Sequence, residues 1–406
     1  MTIAIAPNRP VHIVAPRFYR PDLPAGLVFR TAAVHGPLGR DDIASITGLS
    51  IATVNRQATA LLSAGLLRER ADLTVAGAVG RPRIPLEANS DGFAVVGIHI
   101  GAVTTTLVLS DLRGTILDGV RIQTPQLDQD QTLRGIAASA TDFLRRSGAA
   151  RHRRILWAGV ALGGRVDTRT GSADHPRLGW VNAPVANAIA TGVGVPVSVS
   201  PHVEAMAAAE LLAAPGARPA TGSSLFLYAR ETVGVALTID GRVHSPKSGP
   251  GSVAHLPSGS DIECDCGRRG CLEVTVSDRA TLNAAAARGV FADGARPTLA
   301  SLYAEANAGN ETAVGVLADR AAALGRAAAL LNDLLNPDQI IVAGQAFTAY
   351  PPAMRDFAST FSADASLAVN DVITSRFGGL VQEHAATAAA LSVLYSDPLG
   401  ALRRTG

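Results

Sequence analysis

The amino-acid sequence predicts an α/β protein that begins with a small helical domain. From residue 23 to about residue 88, short segments carry apolar residues at helical spacing. From residue 89 onward, apolar strands alternate with amphipathic helices. This alternation occurs twice, beginning near residues 93 and 225, which predicts a duplicated α/β domain with two lobes. A length of 406 residues is sufficient for two or three domains of this kind.

Composition excludes several classes of protein. A hydrophobic content of 47% with 17% charged residues is typical of a folded globular chain. A net charge of +2 excludes a strongly basic nucleic-acid coat but allows one small basic surface. No apolar run approaches the ~20 residues that a membrane span requires, and the first residues do not resemble a secretory signal. We therefore expect a cytoplasmic protein.

Residues 1–22 contain four prolines and no amphipathic period, which predicts a flexible arm. The next segment, residues 23–88, predicts a DNA-binding domain. One short helix carries Leu27 and Val28, a second carries Ile43, and a third carries Val54 and apolar residues at helical spacing beyond it. A short turn with a glycine joins the second helix to the third, which is the spacing of a helix-turn-helix.

The third helix carries side chains suited to reading DNA. Asn, Gln and Arg can form paired hydrogen bonds with base edges in a major groove. A serine stands where the helix requires an N-cap. The predicted DNA contacts from this helix are Ser50, Thr53, Asn55, Arg56 and Gln57.

A tight turn, GRPR, follows this helix between two short apolar stretches, which predicts a wing. Its Arg81 and Arg83 could enter a minor groove, where A/T-rich segments concentrate negative potential. Together with the helix-turn-helix spacing, this turn predicts a winged helix-turn-helix. The alternative is a small helical adaptor with solvated arginines.

The remaining chain, residues 89–406, predicts the following elements in order. They are strands in FAVVGIHIG and TTTLVLSDLRG, a helix over 131–146, a strand in ILWAGVALGG, two strands in LFLYARETVGVALTIDGRV, helices over 279–336, a strand in QIIVAGQ and an alanine-rich final helix.

All three cysteines of the chain lie within eight residues, in ECDCGRRGCLE. With a nearby histidine they supply a candidate metal site, consisting of His255, Cys264, Cys266 and Cys271. One imidazole and three thiolates form a closed tetrahedral set for Zn²⁺, and a closed set leaves no position for a reactive water. The prediction is a structural zinc site. The alternative is three free thiols with an unrelated histidine.

The segment CDCGRRGCLE, preceded by GSVAH, resembles the zinc motif of the ROK family, which comprises bacterial repressors, sugar kinases and unassigned relatives. VALGGRVD and LNPDQIIVAGQ resemble further family segments. The resemblance implies a two-lobed, actin-like (ribonuclease H-like) sugar-kinase-type domain over residues 89–406. The N-terminal helix-turn-helix and its wing resemble the repressor branch, which implies a homo-oligomer, dimer or tetramer, on double-stranded operator DNA.

The residues that would make such a domain a kinase are replaced. The family's first phosphate loop opens with an aspartate that organises Mg²⁺, and here that position is His99. The second phosphate loop reads RETVG, with Glu231 where glycine is usual. His202 stands where the resemblance places the catalytic aspartate. Phosphoryl transfer depends on positioning and charge neutralisation, so we expect a domain without kinase activity.

The resemblance also implies an effector site near the family's sugar site. Its candidate residues are Gly164, Asn182, His202, Glu204, Ser252, His255 and Glu273. Ser252 replaces a glutamate that would bind two sugar hydroxyls, and loss of such partners weakens binding steeply. Three functions follow: a repressor that senses a sugar or an acidic or phosphorylated derivative, a regulator that uses the domain as a scaffold without an effector, or a DNA-binding sugar kinase.

Overall fold

The computed structural model describes residues 12–73, 84–214, 221–246, 251–292, 297–368 and 371–405. The chain divides into two compact units. The first comprises residues 1–220, 241–249 and 382–406, and the second comprises residues 221–240 and 250–381. Within the described ranges, no helix combines the length and apolar character needed to cross a membrane.

The first unit begins with a three-helix domain and a small sheet. Its elements are α1 (Pro24–His35), α2 (Arg40–Thr47), α3 (Ile51–Ser63), β1 (Leu67–Glu69) and β2 (Leu86–Ala88). The turn between α2 and α3 depends on Gly48, whose φ of 71° is left-handed. Val28, Ile43, Val54 and Leu61 are fully buried, so each helix contributes to one small core. β1 and β2 pair antiparallel.

A five-stranded sheet forms the body of the first unit, in the order β10–β6–β3–β4–β5. Its strands and the elements around them are β3 (Phe93–Ile100), β4 (Thr104–Asp111), β5 (Ile116–Gln123), α4 (Gln129–Arg146), β6 (Arg154–Leu162), β7 (Arg165–Asp167), β8 (Ser172–His175), β9 (Trp180–Ala183), α5 (Val185–Val193), β10 (Val197–Pro201) and α6 (His202–Ala213). Strands β3, β6 and β10 are parallel, and β4 and β5 are antiparallel to their neighbours. Apolar residues of α4 and α5 join the sheet in one core, represented by Ile98, Ile136 and Ile189.

Helix α13 (Val381–Ser396) packs on the sheet of the first unit, and α14 (Pro398–Arg404) follows it. The approach is close because two strand positions lack a side chain. A Cβ at Gly159 would lie 2.1 Å from the carbonyl oxygen of Ala386, and a Cβ at Gly97 would lie 3.0 Å from the amide nitrogen of Thr387. Glycine at these positions therefore allows the helix to rest against the strand backbone.

Residues 12–20 are paired, which corrects the prediction of a flexible arm for this part of residues 1–22. Val14 donates from its amide to the carbonyl of Val197 at 3.0 Å, so the segment covers the free edge of β10. Tyr19 pairs with Arg242 of β13 (Arg242–Val243), and Phe18 is buried. The prolines suggested flexibility, but an extended segment has main-chain groups available to an edge strand. Residues 1–11 lie outside the described ranges.

The second unit repeats the strand arrangement of the first. Its elements are β11 (Ser223–Ala229), β12 (Val233–Ile239), α7 (Leu272–Val276), α8 (Asp278–Ala287), α9 (Leu299–Asn307), α10 (Glu311–Leu335), β14 (Gln339–Ala343), α11 (Gln345–Thr348), α12 (Met354–Asp364) and β15 (Val372–Thr374). Strand β11 has antiparallel β12 on one side and parallel β14, followed by parallel β15, on the other. In the same way, β3 has antiparallel β4 on one side and parallel β6, followed by parallel β10, on the other. The predicted duplication is confirmed.

Candidate functional site

The four predicted metal ligands converge in the second unit. The Sγ atoms of Cys266 and Cys271 lie 3.6 Å apart, and the Sγ of Cys264 lies 3.7 Å from the Nδ1 of His255. All four ligand atoms lie within 4.8 Å of one another. The turn that returns the third cysteine depends on Gly270, whose φ is 70° and whose Cβ would lie 2.3 Å from the carbonyl oxygen of Ser260.

These distances fit a tetrahedral zinc ion. With Zn–S bonds of about 2.3 Å, tetrahedral sulfur ligands lie about 3.8 Å apart. The main-chain amide and the guanidinium of Arg268 lower the pKa of the Cys266 thiol to about 6, which favours the thiolate that binds metal. Burial raises the pKa of Cys271 to about 11, which favours the protonated thiol in the absence of a metal. The group can hold a metal, with three sulfur ligands and one nitrogen.

Helix α3 presents the predicted DNA contacts on its outer face. Ser50 caps the helix, accepting a hydrogen bond from the amide of Thr53 at 3.2 Å. Asn55 and Arg56 are exposed and Gln57 is partly exposed. The opposite face is buried in the three-helix core. The fold therefore leaves these side chains accessible to a partner.

The base of the predicted wing is held by an ion cluster. Glu87 of β2 is buried and pairs with Arg68 at 2.7 Å and with Arg70 at 3.1 Å. These contacts fix the ends of the loop that carries the predicted wing arginines. Arg81 and Arg83 themselves lie outside the residues that the structure describes.

Three histidines meet in the first unit, at the candidate effector residue His202. The Nε2 of His99 lies 3.3 Å from the Nδ1 of His202, and the two rings are stacked. A Cβ placed on Gly163 would lie 3.4 Å from the Nε2 of His175 and 4.0 Å from that of His202. Burial lowers the pKa of His175 and of His202 to about 4 each. Their low pKa values keep His175 and His202 neutral at pH 7, where they offer hydrogen bonds without charge.

The other first-unit candidates are each fixed by a neighbour. The buried Glu204 accepts a hydrogen bond from the hydroxyl of Ser245 at 2.5 Å, and burial raises its pKa. Gly164 adopts a φ of 89°, and a Cβ there would lie 2.1 Å from the carbonyl oxygen of Asp174. Asn182 has a φ of 46°, and its main-chain amide donates to the carboxylate of Asp174 at 2.7 Å. Gly164 and Asn182 therefore both lie beside Asp174.

We expect the histidine cluster to weaken the fold on acidification. The unfolded chain protonates histidine near pH 6.5 and the folded chain only near pH 4, so between these values the unfolded state binds more protons. Stability then rises with pH and is lost as pH falls, by at most about 1.4 kcal/mol per pH unit for each histidine. Urea denaturation at several values between pH 7 and pH 5 measures the free energy of unfolding. Plotted against pH, this free energy should have a flatter slope for the double variant His175→Gln/His202→Gln than for the wild type.

The matched control for this series is His152→Gln, because His152 is exposed. We expect it to keep the wild-type slope. Burial also lowers the pKa of His384 to about 4, so part of the slope remains in the double variant. A double variant with the full wild-type slope would contradict the assignment of the effect to this cluster.

In the second unit, Ser252 and Glu273 lie close to the metal ligands in sequence. Ser252 is exposed, and its hydroxyl accepts from the amide of Ala254 at 3.4 Å. Glu273, in the first turn of α7, accepts from the amide of Val233 at 3.4 Å. Glu273 thus bonds to the loop at the start of β12, which is the segment that resembles the second phosphate loop.

The groups expected of a kinase are absent at the positions compared. His99, the residue before the last of β3, is a buried imidazole where the resemblance requires a carboxylate. In the second unit, Asp278 lies between two arginines, 2.6 Å from Arg320 and 3.7 Å from Arg230. The arginine of the second loop therefore takes part in an internal ion cluster.

Sequence reasoning missed two residues near the candidate effector positions. His175 ends β8, and the short strands β7–β9 are too brief to give a periodic signal. Ser245 follows β13 and reaches Glu204 only through the fold. A histidine followed by proline in a polar loop was the one available signal for His175.

Comparison with known proteins agrees with this description. The transcriptional regulator Rv0485 of Mycobacterium tuberculosis (strain ATCC 25618 / H37Rv) is 50% identical, over 97% of this chain and 91% of its own length. A crystal structure of a ROK family transcriptional regulator, homologous to the Escherichia coli MLC protein, superposes with a TM-score of 0.71 at 25% identity, over 91% of this chain and 97% of its own.

A ROK family glucokinase from Streptomyces griseus, solved with glucose and AMPPNP, has a TM-score of 0.61 at 21% identity, over 73% of this chain and 99% of its own. This likeness shows a shared fold. The model of the ROK family matches residues 95–389, a range that covers the two five-stranded sheets, except for the first residues of β3, and the cysteine cluster. The chain therefore belongs to the ROK family.

Proposed function

We propose that this protein is a DNA-binding transcriptional regulator, acting as a repressor, whose sugar-kinase-like domain senses a sugar or a sugar derivative. The observation that carries the proposal is the exposed face of α3, where Asn55 and Arg56 project from a capped second helix of a helix-turn-helix. A homodimer would place two such helices in successive major grooves of a palindromic operator. The 50% identity to a named transcriptional regulator supports the same class of function.

Residues 23–88 serve in this proposal as the winged DNA-binding domain, and residues 89–406 as the sensing and dimerisation domain. Zinc bound by His255, Cys264, Cys266 and Cys271 has a structural role, because four protein ligands complete its tetrahedron. The ion would hold the loop that contains Ser252 and leads to Glu273.

The domain does not act as a kinase in this proposal. Histidine at positions 99 and 202 cannot organise Mg²⁺ as a carboxylate does, since magnesium prefers oxygen ligands. The neutral, hydrogen-bonding character of the histidine cluster suits a ligand rich in hydroxyl groups.

Run-off transcription in vitro tests the repressor. The template carries the region upstream of the protein's own gene, and purified zinc-loaded protein is added with a panel of sugars and sugar phosphates. We expect the protein to lower transcript yield and one compound of the panel to restore it. An increase in transcript would overturn repression in favour of activation, and no change on a template that the protein binds would overturn regulation at this promoter.

A second candidate is a regulator without a small-molecule effector. It is favoured by the internal hydrogen bonds of the candidate residues, since Glu204 bonds to Ser245 and Glu273 to the amide of Val233. Carboxylates that already accept internal hydrogen bonds have less capacity to bind a ligand than carboxylates without such bonds. A rise in melting temperature with any sugar of the panel would count against this candidate, because a ligand that binds only the native state must stabilise it.

A further inference from the structure

An arginine of the DNA-binding domain caps a helix of the sensing domain. Arg30, on α1, is 2% exposed. Its Nε and Nη2 donate to the carbonyl oxygen of Leu212 at 3.2 and 3.0 Å, and Nη2 also donates to that of Ala214 at 2.6 Å. The last carbonyls of a helix have no partner within the helix and form the negative end of its dipole. Arg30 thus satisfies the C-terminus of α6 with a buried cation.

The opposite end of α6 carries two candidate effector residues. His202 begins the helix and contacts His99, and Glu204 lies in the first turn and contacts Ser245. All the residues from Val203 to Leu212 are buried, so the helix is enclosed along its length. With 12 residues at about 1.5 Å each, it spans roughly 18 Å. One rigid element therefore joins the histidine cluster to the DNA-binding domain.

Helix α1 is also positioned by close packing. A Cβ on Gly26 would lie 2.4 Å from the carbonyl oxygen of Tyr395, and the ring of Phe29 meets that of Tyr395 edge to face at 6.0 Å. Within the DNA-binding domain, α1 packs against α3. A shift of the C-terminus of α6 would therefore reach α3 through Arg30 and α1.

We propose that Arg30 is the positioning residue that couples the state of the effector residues on α6 to the placement of α3 for DNA binding. This inference rests on the proposed function. A ligand that displaces the first turn of α6 moves its terminal carbonyls, and the guanidinium follows them because it is buried and solvent contact could not replace the lost bonds. The DNA-binding domain is then moved relative to the sheet of its own unit.

A double-mutant cycle tests this coupling in the full-length, zinc-loaded protein. The variants are Arg30→Met, His202→Ala and the two combined, and the measured quantity is the Kd for a duplex from upstream of the gene. We expect His202→Ala to change the Kd at least threefold with Arg30 present and less than 1.5-fold in the Arg30→Met background. Coupled pairs deviate from additivity by about 2- to 150-fold in an equilibrium constant.

Arg153→Met provides the matched control. Arg153 donates to the main-chain carbonyls of Ser90 and Ala149, both at 2.8 Å, in the same unit. Its bonds resemble those of Arg30 but do not involve α6. In the Arg153→Met background we expect His202→Ala to keep its full effect on the Kd.

Hydrogen exchange keeps the inference testable if Arg30→Met does not fold. In the single variant His202→Ala, we expect the amides of α1 to exchange at least threefold faster than in the wild type. When Arg30→Lys is also present, we expect His202→Ala to accelerate this exchange less. The coupling would be overturned if His202→Ala changed the Kd equally in the wild type and in Arg30→Met. It would also be overturned if His202→Ala changed neither the Kd for DNA nor the exchange of the α1 amides. Failure of the wild type to bind the duplex selectively would instead overturn the proposed function.

Discussion

Replacing Cys266 with serine is expected to remove most of the bound zinc and to lower the free energy of unfolding of the protein by several kcal/mol. Structural zinc supplies roughly 10–16 kcal/mol of apparent binding energy in small zinc-finger peptides. Because the metal binds the folded state and not the unfolded state, this binding adds to the stability of the fold. The ligand atoms already lie at distances suited to a tetrahedral ion. Because Cys266 is exposed, its replacement removes little packing, and the loss reports on the metal.

Zinc content by atomic emission and urea denaturation measure the two effects together. Asp265→Asn is the matched control, because Asp265 is an exposed neighbour of two ligands and is not one itself. We expect the control to retain one zinc per chain and wild-type stability. Full zinc content and unchanged stability in Cys266→Ser would refute the four-ligand site.

Replacing Arg56 with alanine is expected to weaken binding to the operator by about 5- to 150-fold. Loss of an arginine that bonds to a guanine edge costs about 1–3 kcal/mol and relaxes discrimination at that base pair. Arg56 is exposed on α3, so stability should change by less than about 0.5 kcal/mol. Fluorescence anisotropy on the operator and on a shuffled duplex, with a thermal melt of each variant, separates affinity from folding.

The matched control is Arg145→Ala, which removes an exposed arginine from α4, outside the proposed DNA-binding domain. It should leave operator affinity unchanged. An equal loss of affinity on operator and shuffled DNA would show that Arg56 contacts phosphate, which would contradict its assignment as a reader of bases.

The motifs predicted from sequence were those whose residues lie close together in the chain. The candidate metal ligands all fall between residues 255 and 271, and the helix-turn-helix depends on a local turn at Gly48 with a cap at Ser50. Both features need only short-range geometry, so spacing and residue type were sufficient. The duplicated α/β pattern was visible because the buried central strands are apolar along their length.

Elements that depend on tertiary contacts were missed. β5 is an edge strand with no buried residue, and its apolar and polar side chains do not alternate strictly, so it carries no strong apolar pattern. The proline-containing segment that ends near residue 20 was interpreted as flexible, although it pairs with an edge strand. Likewise, His175 and Arg30 gain their roles only from partners distant in the chain, which one sequence without its fold does not identify.

Sequence-selective binding of DNA by the exposed face of α3 underlies the proposed function. Anisotropy of the wild-type, zinc-loaded protein on a labelled duplex from upstream of its own gene, competed with unlabelled operator and with shuffled DNA at one fixed salt concentration, tests it directly. We predict that the operator competes at least 1,000-fold more effectively than shuffled DNA, as specific regulators do. Equal competition by the two duplexes, repeated across a genome-wide library of fragments, would contradict the account.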